Sequence, residues 1–151
     1  TYPHLKTNLV IAGRKGWKWE NILTSYNKLK DHILFTGYIE EEDLPYLYGR
    51  AKVFCYPSHY EGFGLPLLEA MGCSTPVIYG ANSAMKEIVG EAGLGVSSLD
   101  TNAIMDAMYL LLTDETYWKE MSLNSRIKAN QYTWLKCAYH TILCFDNQIE
   151  S

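Results

Sequence analysis

The stretch that decides the fold runs from Phe54 to Glu69 and reads Phe-Cys-Tyr-Pro-Ser-His-Tyr-Glu-Gly-Phe-Gly-Leu-Pro-Leu-Leu-Glu. It continues a short apolar run that starts at residue 52 and ends before Pro57, which predicts a buried parallel strand. A loop with two glycines follows, and a helix is then predicted over Leu65–Met71, with a proline tolerated in its first turn. The stretch therefore predicts a strand, a glycine-bearing turn and a helix in direct succession.

Two glycines and two acids give this turn its chemistry. A strand-to-helix turn leaves backbone N–H groups unpaired, which makes an anion site without any cationic side chain. Gly62 and Gly64 would let the backbone approach a ligand closely. Glu61 precedes the helix at the ligand-facing side, and Glu69 lies on the helix, where a carboxylate can accept two hydrogen bonds from a diol such as a ribose.

The run from Glu61 to Glu69 resembles the E-x7-E motif of retaining glycosyltransferases of the GT-B fold, the group 1 or family 4 type. The resemblance extends over nearly the whole chain and includes further short runs that match the C-terminal domain of that family: Pro57-Ser58, Glu69-Ala70-Met71-Gly72-Cys73, Thr75-Pro76-Val77-Ile78 and Glu87-Ile88-Val89-Gly90. A bare pair of glutamates at this spacing would be weak support, whereas the extended pattern is specific.

The resemblance implies a role for each residue of the turn. Glu61 would contact the donor sugar near the reacting carbon, and Glu69 would hold the ribose hydroxyls. The backbone N–H groups of Gly64 and Leu65 would meet the donor phosphate. Phe63 is at least as well explained by core packing as by ligand contact, and the same holds for the side chains of Leu65 and Leu67.

Further donor contacts are expected before the turn. In the family, backbone near the position of Tyr38 meets the nucleobase, although a tyrosine that shields the sheet edge is an equal alternative. The loop of Gly13 and Arg14 follows an earlier strand and offers Arg14 or Lys15 to the phosphates; otherwise these are solvated charges. The family's usual basic pair is expected to lie before Thr1.

The rest of the chain alternates strands and helices, which predicts an α/β fold: a doubly wound parallel sheet with helices on both faces, the Rossmann-like half of a GT-B fold. Ligands bind such sheets outside the carboxyl ends of the strands. Helix N-caps are expected at Asp100, Asp114 and Thr133. The aromatic residues of the last helix, Trp134, Tyr139 and Phe145, are expected to pack rather than to bind a cofactor.

The net charge and the cysteine spacing limit the classes of partner and cofactor that the chain is expected to bind. The chain has 151 residues and a net charge of −4, which argues against nucleic-acid binding. Its four cysteines lack metal-type spacing and are expected to be buried free thiols in a reducing cytoplasm. The resemblance implies that no metal or other cofactor is needed, because in the family a helix terminus and basic side chains take the place of a metal. Peripheral association with the inner face of a membrane would come from the absent half.

We therefore expect residues 1–151 to be the C-terminal, nucleotide-sugar-binding domain of a glycosyltransferase, without the domain's first strand and without the N-terminal acceptor domain. The isolated chain should bind the donor weakly or not at all and should not turn over. Two alternatives stay open: another reaction on the same fold, such as a sugar-nucleotide epimerase or a phosphorylase, or a non-catalytic domain used for protein association.

Overall fold

The computed structural model describes residues 5, 7–14, 16 and 29–149, with the side chains of 146–149 excepted. The chain forms two compact units, Thr1–Leu44 and Pro45–Ser151. Apolar residues at helical spacing predict a helix over residues 18–30, which lies outside the described residues apart from its last two positions. Each unit has its own strands, and the two units are described separately.

The first unit contains a parallel strand pair, as the sequence predicts. Strand β1 (Leu9–Ala12) pairs with strand β2 (Ile33–Gly37), which follows a short 3-10 turn at Lys30–His32. The pairing begins with Leu9 opposite Ile33 and shifts by one residue at the end of β1. Both strands therefore end at the same edge, where the backbone N–H of Gly13 donates to the carbonyl of Gly37 at 2.9 Å.

The second unit is built on a three-stranded parallel sheet in the order β3-β4-β5. Its elements, starting with the helix that spans the boundary between the units, are α1 (Leu44–Arg50), β3 (Phe54–Tyr56), α2 (Leu65–Gly72), β4 (Val77–Gly80), α3 (Met85–Val89), β5 (Leu94–Val96), α4 (Thr101–Thr113), α5 (Glu115–Ala129) and α6 (Trp134–Ile149). A 3-10 turn at Gly90–Ala92 leads into β5. Strands and helices alternate in the predicted order, and the predicted fold class is confirmed.

The core of this unit lies on both faces of β4, because successive side chains of a strand point to opposite faces. Ile78 packs in one cluster with Val96, Leu111 and Met121 from β5, α4 and α5. Val77 is fully buried as well, and all four residues of β4 are buried. Strand β3 is only half-buried instead of buried as expected, since β4, and not β3, has strand partners on both sides within this sheet.

The predicted helix N-caps are confirmed. The Asp100 carboxylate accepts the backbone N–H groups of the second and third helical residues of α4, both at 3.0 Å. Asp114 accepts one such bond at the start of α5, and the hydroxyl of Thr133 accepts one at the start of α6. Each cap satisfies a backbone donor that the first turn of a helix leaves unpaired.

Two further expectations about burial are wrong. The aromatic residues of α6 do not pack: Trp134 is 79% exposed and Phe145 is 67% exposed. The apolar residues of that helix form a face that no described residue covers. The helical spacing of apolar residues therefore did not indicate that these residues are buried. Of the four cysteines, all are free, but Cys137 and Cys144 on the same helix are exposed.

Candidate functional site

The turn between β3 and α2 has the backbone geometry of an anion site. Gly64 is the N-cap of α2 and adopts a left-handed conformation with φ +97°. This conformation favours glycine, and a Cβ at this position would crowd two side chains, at 3.2 Å from Cγ of Met85 and 3.3 Å from Cδ1 of Leu67. In the part of the chain that the structure describes, the backbone N–H groups of Gly64 and Leu65 have no protein acceptor. They are therefore available to an anionic ligand.

Glu61 lies in this loop and is held by a tyrosine. The hydroxyl of Tyr56, at the end of β3, donates to Oε1 of Glu61 at 2.7 Å. This hydrogen bond, helped by one from Ser58, lowers the pKa of the half-buried Glu61 carboxyl below its ordinary value. Glu61 is thus a carboxylate at neutral pH and cannot donate a proton there.

Glu69 lies in the middle of α2 and has a tyrosine partner as well. The hydroxyl of Tyr48, on α1, donates to Oε2 of Glu69 at 3.0 Å. Tyr48 is 8% exposed, whereas Glu69 is exposed. Burial, and then the bond to Glu69, raises the pKa of Tyr48 well above its ordinary value, so its phenol remains a donor at any physiological pH.

An apolar groove of about 840 Å³ runs beside Glu69. Phe63 and Leu65 line it from the turn, and both side chains are substantially exposed, so the core-packing alternative for these two residues is wrong. The ring of Phe63 meets that of Tyr132 edge-on at 6.3 Å between centroids. The other lining residues come from α2, the end of α5 and the start of α6: Leu68, Gly72, Ala129, Asn130, Gln131, Thr133, Trp134, Lys136, Cys137 and His140. Glu61 is not one of them.

The two glycines of the turn differ in their surroundings. Gly62 is exposed, and a Cβ there would meet no atom within 4 Å. Its position is therefore open to a ligand, while that of Gly64 is fixed by protein contacts. The contact of Gly62 and Gly64 with the donor stays a prediction.

A third glycine, which the sequence did not single out, sets the position of the loop. Gly80 ends β4, and a Cβ on it would lie 2.1 Å from the carbonyl oxygen of Ser58. Only a glycine lets the loop backbone cross β4 this closely. The signal was present in the sequence, since Gly80 directly follows a predicted strand, but its partner is 22 residues away.

The carboxyl ends of the three strands also bring together polar side chains that sequence reasoning missed. Nδ1 of His59, after β3, lies 3.1 Å from Oγ of Ser98, after β5. The side-chain amide of Asn82, after β4, donates to the same Ser98 oxygen at 3.3 Å.

In the first unit, the structure brings Tyr38 together with the loop of Gly13 and Arg14, which the sequence analysis proposed separately from it. Gly13 has φ +123° and is bonded to Gly37 at the end of β2. The guanidinium of Arg14 lies over the ring of Tyr38, with its Cζ 5.1 Å from the ring centroid. This cation–π contact holds a positive charge at the carboxyl ends of β1 and β2. Lys15, the alternative cation, lies outside the described residues.

Two further features bear on partners. Among residues 5, 7–14, 16 and 29–149, no three His, Cys, Asp or Glu side chains come together as a metal site would require. No helix within the same residues has the length and apolar character needed to cross a bilayer. The expectation that donor binding needs no metal stays a prediction.

Comparison with known proteins decides the family. The sequence profile of the family described as "Glycosyl transferases group 1" matches residues 2–134. This chain belongs to the group 1 glycosyl transferases. Among its relatives, the O-antigen chain mannosyltransferase B of Escherichia coli is 38% identical over 138 residues, and the matched part is 89% of this chain and 36% of that protein. A serotype-specific mannosyltransferase of the same species is 31% identical over 127 residues, which cover 84% of this chain and 16% of the relative.

Solved structures of the group 1 glycosyl transferases and their neighbours agree with the fold. A sucrose-phosphate synthase from Thermosynechococcus elongatus superposes with a TM-score of 0.84 at 28% identity, over 95% of this chain and 39% of that one. The C-terminal domain of a glycosyl transferase group 1 family protein from Francisella tularensis gives 0.74 at 26% identity, over 87% of this chain and 71% of that one. The predicted resemblance to the C-terminal half of a GT-B glycosyltransferase is confirmed. The chain spans 36% of the length of the first mannosyltransferase named above and 16% of the length of the second.

Proposed function

We propose that this chain is the donor-binding half of a retaining glycosyltransferase, which moves a sugar from a nucleoside diphosphate sugar to an acceptor hydroxyl. The observation that supports the proposal best is the arrangement of the turn: two acids, each hydrogen-bonded by a tyrosine, on either side of a helix start whose backbone N–H groups are free. A second domain, outside this chain, would supply the acceptor and close the cleft. The reaction would take place in the cytoplasm, and any membrane association would belong to that second domain.

The turn would act on the leaving group. Breaking the bond between sugar and phosphate moves negative charge onto the pyrophosphate, and the N–H groups of Gly64 and Leu65 lie at the positive end of α2. One such helix terminus contributes about 0.3–1 kcal/mol when exposed and up to ~2 kcal/mol when partly buried. It therefore needs basic side chains as well.

The two acids would have different roles. Glu61 is ionised, and its carboxylate near the reacting carbon would stabilise the positive charge that develops on the sugar as the leaving group departs. Glu69 would accept hydrogen bonds from the ribose hydroxyls and so contribute to donor affinity. Phe63 and Leu65, exposed beside Glu69, would contribute apolar contact to the donor.

The sugar proposed is mannose, because both relatives described above are named mannosyltransferases. The test uses the full-length gene product and a panel of nucleoside diphosphate mannoses and glucoses, with NMR assignment of the product's anomeric configuration. Transfer of mannose with retention is expected. Transfer with inversion would contradict the mechanism, and transfer of another sugar would contradict the donor only.

Two variants test the acids directly. Glu61→Gln should lower kcat strongly, since the carboxylate acts on the transition state, whereas Glu69→Gln should mainly weaken donor affinity. Glu120→Gln, on the exposed surface of α5, is the matched control and should behave as wild type. Unchanged transfer in both motif variants would contradict the roles proposed for the two acids, whereas no transfer by the wild-type full-length protein would favour the association domain. Transfer by the isolated 151-residue chain would contradict the proposal that it needs its second domain.

A further inference from the structure

Two tyrosines and one phenylalanine link the two motif acids within the second unit. The ring of Tyr48 meets that of Phe54 edge-on, with 5.2 Å between centroids. Phe54 in turn stacks on Tyr56 at 5.9 Å, with 16° between the ring planes. The hydroxyl at one end of this row donates to Glu69, and the hydroxyl at the other end donates to Glu61. Because the three rings are in contact, displacement of one ring would alter the hydrogen bonds that both acids accept.

The row is anchored where it meets Glu69. The carbonyl of Tyr48 accepts the hydroxyl of Thr75 at 2.7 Å, and Thr75 is 2% exposed. Glu69 is exposed, so without a fixed partner it would lose rotamer freedom each time a ligand bound. The bond to Tyr48 occupies Oε2 and leaves Oε1 without a partner in the residues that the structure describes. Oε1 is thus the oxygen that is available to a ligand hydroxyl.

Both hydroxyls stay protonated over the physiological range. The bond to Glu61, followed by burial, raises the pKa of Tyr56 to about 12. A neutral phenol that donates to a carboxylate favours the charged form of the acid, which is why the pKa of Glu61 is lowered. The two tyrosines are therefore permanent donors that orient both acids.

We infer that Tyr48 and Tyr56 are positioning residues that orient Glu69 and Glu61 for the nucleotide and the sugar of the donor, through the aromatic row they form with Phe54. The inference rests on the proposed function of the two acids. It assigns the two tyrosines different consequences, because one supports the nucleotide-binding acid and the other supports the acid at the reacting carbon.

The test replaces each tyrosine by phenylalanine in the full-length protein, which removes the hydroxyl and keeps the ring. Tyr48→Phe should weaken binding of the nucleoside diphosphate about 10-fold and raise the donor KM to a similar extent, with kcat near wild type. Tyr56→Phe should lower kcat about 10-fold and move the acidic limb of the kcat/KM pH profile to higher pH, because Glu61 loses the bond that lowers its pKa. Nucleotide affinity should not change in this second variant.

Tyr79→Phe is the matched control. Its hydroxyl donates to a backbone carbonyl, that of Gly90, at 3.3 Å, and its ring is buried as that of Tyr48 is. Loss of this hydroxyl should leave kcat, KM and the pH profile unchanged. A purely structural role of Tyr48 and Tyr56 would give the same result for them as for Tyr79, or would lower kcat and affinity together, and either outcome overturns the inference.

A double variant separates this inference from the proposed function. If Tyr48 acts through Glu69, then Tyr48→Phe combined with Glu69→Gln should bind the nucleotide no more weakly than Glu69→Gln alone. Additive losses would overturn the positioning role. If the glutamine variants and the phenylalanine variants are all as active as wild type, the proposed roles of the two acids have failed; if only the glutamine variants are impaired, the positioning inference alone has failed.

Discussion

Gly80→Ala offers a sharp test of how the loop that carries Glu61 is positioned. The new Cβ would lie 2.1 Å from the carbonyl oxygen of Ser58, and real Cβ contacts below 3.0 Å are essentially never found. The new Cβ is fixed to strand β4 and the Ser58 carbonyl belongs to the loop backbone, so neither can rotate away and the loop has to move by about 1 Å. A misplacement of that size can lower a reaction rate ~100-fold. Forcing a methyl group into a packed site also lowers the free energy of unfolding by about 1–3 kcal/mol.

The assay measures two quantities on the same preparation: sugar transfer by the full-length protein, and the unfolding free energy from denaturant titration followed by circular dichroism. Gly49→Ala is the control, because this exposed glycine of α1 has no atom within 4 Å of an added Cβ. We expect the control to be as active and at least as stable as wild type, since alanine favours a helix. Wild-type activity and stability in Gly80→Ala would refute the argument that this contact sets the loop.

Further predictions concern the core, a cap, a buried hydroxyl and pH. Leu111→Ala empties a fully buried site and should lower the free energy of unfolding by about 2–5 kcal/mol in denaturant titrations. Asp100→Ala removes a cap that accepts two backbone bonds and should cost about 1 kcal/mol in the same assay; no loss would mean that water replaces the cap. Ser125→Ala leaves the carbonyl of Ala92 without its partner, which should cost about 1–3 kcal/mol. Because the folded pKa of Glu61 is lowered, its contribution to stability is present above the unfolded pKa and is lost as pH falls through the folded pKa; Glu61→Gln should abolish that part of the acid dependence of thermal unfolding.

Local chemistry explains why so much of the fold could be predicted from the sequence. The strand, the glycine turn and the helix of residues 54–72 follow from apolar periodicity, from two glycines and from a proline in a first turn, all of which act over a few residues. The caps at Asp100, Asp114 and Thr133 depend on bonds to the next two or three residues, so they too could be predicted.

Burial was harder to predict, because it depends on what covers a face. The last helix has apolar residues at helical spacing, yet Trp134 and Phe145 are exposed in the structure. Similarly, β3 has as apolar a sequence as β4 but is only half-buried. Periodicity indicates which residues share a face, whereas the number of neighbouring elements decides whether that face is covered.

The sequence by itself determined the order of strands and helices, the family of the chain and the two acids that deserve mutation, since these depend on residue types at short and regular spacing. Only the tertiary structure decided what holds those acids. Tyr48 lies 21 residues before Glu69 in the chain, and Gly80 lies 22 residues after Ser58, so no local pattern connects either pair. Ser58 meets Gly80 because the parallel strands β3 and β4 end at the same edge of the sheet, whereas Tyr48 meets Glu69 through a contact between the helices α1 and α2.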